Sequence, residues 1–480
     1  MKTAAPRTAE PMSRVDTAWR RMDSDVNLMM IVGVWLYRPA IGREALCERI
    51  ADRLLRYERF MQRAELDTFG ARWVHDPAFD LMRHVVVEPL PARRRLGERR
   101  ALQRRMGELA STPLDAAHPL WQFHLVEDFE GGCAIICRIH HCIGDGVALN
   151  AVLMTLADGA APLQPPRQPR RRAPGRGDAL LQPLTELAAF AGTAAARSLH
   201  WIEQPGQAFA VAQRLARDGV QLIDDVAALA LLPDDSPTRF KGHGSGRKVV
   251  AWCDPLPLDP VKAVGKALGA SVNDVLITCV AGAIGHALRA AGDDTTGCDL
   301  RAMVPVNLRP PQDAWQLGNR FGLVPLLVPV GITNPIERLG VVHARMQALK
   351  GSYQPLLSYA LLGLAGWLVE PGERALNKLF LDKTTAVMTN VVGPPQRLRL
   401  CGSTLRQSIF WVPASGDVGM GVSIISYAGG VQFGLITDER LCPHPQRIID
   451  RFGKEFELLL LLCLMLPWDG LEPPAQPAAT

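Results

Sequence analysis

The chain has 480 residues, 48% hydrophobic and 21% charged, with a formal net charge of +5. That is long for one domain and comfortable for two, with the composition of an ordinary soluble protein. The mild positive charge suits an anionic ligand or an acidic membrane surface without demanding either.

Ten cysteines are scattered along the chain. Cys133, Cys137 and Cys142 cluster, but no CxxC or Cys/His finger spacing occurs to point to a cysteine-based metal site. Free buried thiols in a reducing cytosol are the expectation. The opening "MKTAAPRTAEPMSRVD" has no apolar h-region and does not read as a secretory signal; Met12 is a candidate start beside Met1, or an ordinary methionine. No apolar run reaches the roughly 18 residues of a membrane span. The longest, Leu458–Leu466, reads as the end of a buried C-terminal helix.

In chain order, "NLMMIVGVW" (Asn27–Trp35) predicts a buried strand and Arg43–Leu55 a helix. "HVVVEPL" is a short strand and Leu96–Ala110 a basic helix. "WQFHLVEDFEGGCAIICRIHH" (Trp121–His141) predicts a hairpin turning at Gly131-Gly132, and Val147–Ala157 a helix. Ala161–Asp178 is rich in Pro and Arg and reads as an exposed linker, followed by Ala-rich helices to Leu232 and a polar loop.

From Val249 the alternation resumes. "VVAWCDPL", "RAMVPVNLRP" and "FGLVPLLVPVG" are strands, and Ser271–Gly292 and Ile336–Lys350 helices. "AVMTNVVGP", "QSIFWVP" and "GVSIISYAGGVQFGLITDE" are further strands before a last helix. "FEGGCAIICRIHH" and "YAGGVQFGLITDE" echo each other: counted from the glycines, His140-His141 fall opposite Asp438-Glu439. This predicts a duplicated α/β unit in which one copy carries histidines.

The chemistry concentrates in "HHCIGDG", His140–Gly146. A histidine near neutral pKa takes a proton from a hydroxyl and returns it later, provided its position and tautomer are fixed. A strand end supplies the position. Asp145 caps the next helix or pairs with a cation, and Gly146 permits a tight turn. Adjacent residues of a strand point to opposite faces, so a shared metal is disfavoured, and one histidine works while the other packs. The pattern leaves open which.

This motif resembles the HHxxxDG signature of the bacterial wax ester synthase/acyl-CoA:diacylglycerol acyltransferase family, within the wider superfamily of chloramphenicol acetyltransferase and the condensation domains. Supporting segments are "PLW" (Pro119, Leu120, Trp121), "SVNDVLITCVAGAI" (Ser271–Ile284), "VPVNLRP" (Val304–Pro310), "GNRFG" (Gly318–Gly322) and "TNVVGP" (Thr389–Pro394). "VDTAWRRMDSDVNLMMIVGVW" resembles the family's opening strand, although it reads Val26-Asn27-Leu28-Met29 where a Pro-Met-His-like run is usual.

The resemblance implies two α/β domains like chloramphenicol acetyltransferase, each a mixed sheet flanked by helices, with the active site in a tunnel at the domain junction. Their expected limits are 12–160 and 247–467, joined by a connection over 161–246 and followed by a flexible tail, 468–480. It implies acyl transfer from acyl-CoA, a substrate rather than a cofactor, to diacylglycerol or a fatty alcohol. His141 is then the general base, His140 and Gly146 support its loop, and Asp145 is structural. Asn273 is the candidate oxyanion donor, with helix capping by Asn273 and Asp274 the simpler role. Arg309 is the expected partner of Asp145, since a buried carboxylate is costly alone. Pro119, Leu120 and Trp121 are expected on the substrate path, and no metal is expected.

The basic run Arg93–Arg105 suits CoA phosphates or anionic lipid, or is a solvated face; without interleaved aromatics it does not suit single-stranded nucleic acid. The expected setting is cytoplasmic, peripheral to the inner membrane or to lipid inclusions. Pro355–Glu370 is the candidate apolar attachment helix, with a core role as the alternative. A condensation-type transferase using a carrier-protein thioester and a non-catalytic lipid-droplet binding protein are the rival functions.

Overall fold

A computed structural model describes residues 9–24, 26–67, 70–91, 93–160, 234–309, 316–349, 354–355, 357–359, 383–413 and 418–465. The linker at 161–178, the Ala-rich connection to 232, most of 355–370 and the tail at 468–480 lie outside the described residues.

The predicted hairpin is the spine of the first half. Strands β6 (Trp121–Phe129) and β7 (Gly132–His140) pair antiparallel, and every residue of β7 is buried. A strand covered on both faces is apolar except where a polar side chain finds a partner: "CAIIC" is continuous apolar sequence, and the buried Arg138 bonds Gln122. On its other side β7 pairs with β2 (Met30–Arg38), with Met30 opposite His140. The short β5 (Val85–Val87) lies parallel to β6.

The second half repeats the plan. Strands β15 (Met420–Tyr427) and β16 (Gly430–Asp438) form a hairpin, β8 (Lys248–Trp252) flanks β16, and β12 (Ala386–Val392) lies parallel to β15. Both hairpins turn through two consecutive left-handed residues: Glu130 and Gly131 at φ 48° and 71°, Ala428 and Gly429 at 48° and 79°. That backbone matches the right-handed strand twist, and it is why a glycine stands second in each turn. His140 and Asp438 end equivalent strands. Asp438 accepts from the Ser245, Gly246 and Arg440 amides and so holds the entry to β8. The two-residue β9 (Leu256–Pro257) on β16, with strands β10 (Leu300–Asn307) and β11 (Phe321–Val328) beside β12, complete this sheet.

The halves are not closed units at the expected limits. Strand β14 (Ser403–Trp411), well inside 247–467, pairs with β2 and, with β13 (Arg399–Leu400), ends the first sheet. An apolar strand announces itself in sequence, but its partner does not; here it covers the otherwise open edge of β2. Trp411 and Ile409 then pack with Val250 and Trp252 against Met30, Val32 and Val34, joining the halves through an apolar layer.

Three further elements differ from expectation. "VDTAWRR" belongs to a helix, Arg14–Arg21, capped by Ser13, rather than to the opening strand, which begins at Met30. A small sheet of β1 (Ala9–Pro11), β4 (Gly70–His75) and β3 (Gln62–Asp67) was not anticipated. The last helix, Pro445–Met465, is not wholly buried: Leu461, Leu464 and Met465 are 57%, 64% and 79% exposed. A run of leucines reads as core whichever way its faces point. Among the described residues no single helix is long and apolar enough to cross a membrane.

Candidate active site

The site forms where β7 stops. His140 is its last residue, the chain turns through Ile143 N–H to the His140 carbonyl (3.0 Å), and a helix starts at Gly146. Asp145 is its N-cap, accepting the Ala148 amide at 2.9 Å on Oδ1. The same oxygen meets Arg309 Nη1 at 2.9 Å, and Oδ2 accepts the Arg320 amide at 2.9 Å. With both oxygens engaged and the side chain buried, this carboxylate builds structure. Arg309 also donates to the Gly318 carbonyl at 2.7 Å. The "GNRFG" segment is thereby stitched to the histidine loop, with Gly318 N–H on the Ile143 carbonyl at 3.0 Å. Gly318 has φ 107°, a backbone closed to most side chains.

The two histidines are held differently. His140 uses both ring nitrogens: Nδ1 accepts the Cys142 amide (3.1 Å), so Nε2 carries the proton and donates to Asp23 Oδ2 (3.1 Å). Burial pushes the Asp23 carboxyl up, but His140 and the Met29 amide outweigh it and hold it below its ordinary value. His141 is held by its backbone, its N–H on the Met29 carbonyl and its C=O on Asn319 Nδ2, both at 2.7 Å. Its ring stacks on Trp19, centroids 4.3 Å apart at 17°, with Phe321 tilted at 5.5 Å. Nδ1 is enclosed and lacks a hydrogen-bond partner. Burial lowers the His141 pKa to about 4, with His140 reinforcing and Asp145 and Asn319 opposing. At neutral pH the ring is therefore uncharged, as a proton acceptor must be.

Sequence reasoning missed Asp16, Trp19 and Asp23, and did not single out Asn319 or Phe321. Asp16 is buried in the helix Arg14–Arg21, and burial raises its carboxyl pKa. Its Oδ1 accepts both the Asn319 amide (2.9 Å) and Asn319 Nδ2 (2.7 Å). Asn319 thus divides its two amide hydrogens between Asp16 and the His141 carbonyl. An acid inside an amphipathic helical stretch was the available signal.

Leu120 and Trp121 are packed in the core: Trp121 stacks on His84 at 4.4 Å and donates Nε1 to the Phe60 carbonyl at 2.9 Å. Pro119 is buried too, and the Leu120 carbonyl accepts the His140 amide at 2.9 Å. The PLW run therefore supports the histidine strand; a tryptophan in sequence looks the same in a core as on a substrate path. Ser271 and Asp274 form a reciprocal capping box on the helix Val272–Ala290. Asn273 lies outside that box, its Oδ1 accepting from Asn390 Nδ2. Gly146 is not in a left-handed conformation, so the turn does not require it. A Cβ there would meet open space, beside a cavity of about 40 Å³ lined by Ile31, Trp35, Ile139 and Leu153. Among the described residues no group of three or more His, Cys, Asp or Glu is arranged for a metal ion.

This arrangement defines a class: two mixed sheets with a buried histidine loop between them. The solved wax ester synthase/diacylglycerol acyltransferase from Marinobacter aquaeolei VT8 superposes with a TM-score of 0.63 at 20% identity, over 95% of this chain and 100% of that one. The first condensation domain of the calcium-dependent antibiotic synthetase gives 0.56 at 14%, over 95% and 96%. Residues 12–276 match the wax ester synthase/diacylglycerol acyltransferase catalytic domain and residues 317–460 the WS/DGAT C-terminal domain. The chain belongs to the wax ester synthase/diacylglycerol acyltransferase family. Two Mycobacterium tuberculosis relatives named as diacylglycerol O-acyltransferases are 27% identical over 432 residues and 28% over 457. The alignments cover 87% and 90% of this chain, and 88% and 95% of theirs.

Proposed function

We propose that this chain is an O-acyltransferase moving a long-chain acyl group from acyl-CoA to diacylglycerol, to a fatty alcohol, or to both. The observation that carries the reading is His141: buried, stacked on Trp19 with Phe321 tilted beside it, and fixed at both backbone ends, with burial favouring its neutral form. With Nδ1 enclosed, Nε2 is the nitrogen for chemistry. It takes the proton of the acceptor hydroxyl as that oxygen attacks the thioester carbonyl. The tetrahedral intermediate collapses, the carbon–sulfur bond breaks, and the CoA thiolate leaves with the proton returned from His141. The products are an ester and free CoA. The enzyme forms no covalent bond to the acyl group, consistent with the lack of a GxSxG elbow in the sequence.

Asn273 is the proposed oxyanion donor. Its Oδ1 is engaged by Asn390, which leaves its Nδ2 hydrogens for an oxyanion. Asp145 and Arg309 hold the loop, and Asp23 holds His140. We infer that the enzyme works in the cytoplasm at a membrane or lipid-inclusion surface, its acceptors being nearly insoluble. The exposed leucines of Pro445–Met465 support a peripheral attachment.

The test is one acceptor panel. Palmitoyl-CoA is supplied with hexadecanol, dipalmitoylglycerol or an amine acceptor, and CoA release and product are followed. Ester formation supports the reading. Transfer to the amine alone would favour condensation-type chemistry, and binding without turnover a carrier role.

A further inference from the structure

The basic helix Glu98–Ala110 and the short one before it distribute their charge unevenly. Arg93 is engaged by Asp128 and Glu98, Arg99 by Asp254, and Arg105 by Glu88 and Glu108. Arg104 shares Glu108. Arg100, exposed on the same helix, has no ion-pair partner among the described residues.

Arg100 lies on a groove of about 760 Å³. The groove exists because the helix crosses β8 in direct contact. A Cβ on Gly107 would stand 2.3 Å from the Lys248 carbonyl, and the Lys248 amide donates to Ser111 Oγ at 2.8 Å. Arg100 and Arg104 form one wall, Arg247 and Lys248 the floor, and the start of the helix Pro445–Met465, with Arg447, the other wall. Gln103 and Gln446 bond across it at 3.3 Å.

Three acids also line the groove, each already engaged. Glu108 is held by Arg104 and Arg105, Glu439 by Arg247 and Asp450 by Gln446. Arg447, exposed like Arg100, has no ion-pair partner among the described residues either. Two uncommitted guanidinium groups thus face one cavity, in the size range of a nucleotide-sized ligand, which is about 300–1,000 Å³. Guanidinium matches phosphate oxygens in geometry and charge.

One lining residue of the groove is bonded to the loop that holds the histidines. Lys248 Nζ donates to Asn27 Oδ1 at 2.7 Å. Asn27 belongs to the loop that presents Asp23 to His140 and the Met29 carbonyl to His141. On the facing side, Thr112, next to Ser111, accepts from Arg138 of β7.

We propose that this groove seats the phosphate-bearing nucleotide half of CoA, with Arg100 and Arg447 on its phosphates and the pantetheine arm directed past Lys248 toward His141. The proposal rests on the acyl-CoA reading above. It accounts for a helix on which Arg99, Arg104 and Arg105 are engaged by acids while Arg100, at the groove, has no ion-pair partner among the described residues.

The full chain is compared with the double variant Arg100→Glu/Arg447→Glu and the milder Arg100→Gln/Arg447→Gln. Both positions are exposed, so melting temperature should hold. CoA binding is measured by calorimetry, and KM is measured for palmitoyl-CoA and for S-palmitoyl-pantetheine, which lacks the nucleotide phosphates. Charge reversal should weaken CoA about tenfold and raise the ratio of the two KM values about tenfold, with a smaller effect in the Gln pair. Unchanged CoA affinity, or equal change for both donors, overturns the proposal. So does reduced co-sedimentation with phosphatidylglycerol vesicles while CoA binding stays intact, which would mark the groove as a headgroup site. CoA binding lost on reversal, in a chain that transfers nothing from palmitoyl-CoA, would uphold the groove and sink the donor reading alone.

Discussion

Arg309 Nη1 lies 2.9 Å from Asp145 Oδ1, both side chains 3% exposed, although 164 positions separate them. Through this pair the second half of the chain fixes the loop on which the first half carries its histidines. Removing one partner strands a buried charge, which costs about 3–5 kcal/mol. Asp145→Asn and Arg309→Met should each destabilise by about that much in denaturant unfolding. The double variant should recover part of the loss, whereas additive losses would show that the pair is not coupled.

Asn319 transmits a second constraint, between Asp16 and the His141 carbonyl. Asn319→Ala should lower kcat about 10²-fold, the cost of a small misplacement of a reacting group, with KM little changed. Asp16→Ala should lower kcat in the same direction, because Asn319 then loses its anchor. A combined variant no worse than either single one would show that they act in series; multiplied losses would show independent roles.

The depressed His141 pKa sets a pH dependence of known sign. Its folded value is about 4 against 6.5 as the ordinary value. The unfolded chain therefore takes up a proton that the folded chain refuses as pH falls from 6.5 to 4. The neutral ring's contribution is fully present above about 6.5 and is lost through that window, at a cost of about 3 kcal/mol. His141→Gln should lose correspondingly less stability between pH 7 and 4. If both proteins follow the same stability–pH curve, the ring is not held neutral by burial.

The exposed leucines of the last helix make the attachment reading testable. Leu461→Glu with Leu464→Glu should leave the melting temperature within a few degrees, because neither side chain is core. Co-sedimentation with liposomes should fall, while turnover of a detergent-solubilised alcohol is retained. A large drop in melting temperature would return this face to the core. Attachment would then fall to basic surfaces, whose binding weakens with added salt.

Much of this was legible in the sequence where period and composition carry information. The apolar CAIIC stretch of β7, a hairpin turn at Gly131, one residue earlier than the expected Gly131-Gly132 pair, and the capping role of Asp274 follow from local rules. The Asp145–Arg309 pairing followed from the cost of a buried carboxylate together with the family resemblance. What was not legible depends on partners distant along the chain. Nothing in "STLRQSIFW" says that it pairs with β2, and nothing in "VDTAW" says that its acid meets an asparagine 303 positions later. The leucines of Pro445–Met465 are exposed where core was expected, and Trp121, expected on the substrate path, is packed in the core. Apolar character fixes neither which way a side chain faces nor what covers it.

The central claim is that His141 Nε2 removes the acceptor's proton, and the most direct measurement is turnover by His141→Ala. With unchanged circular dichroism and normal palmitoyl-CoA binding, kcat should fall about 10²–10⁴-fold, the usual contribution of a positioned general base. A folded His141→Ala protein that esterifies hexadecanol or dipalmitoylglycerol at a near-normal rate would contradict the account.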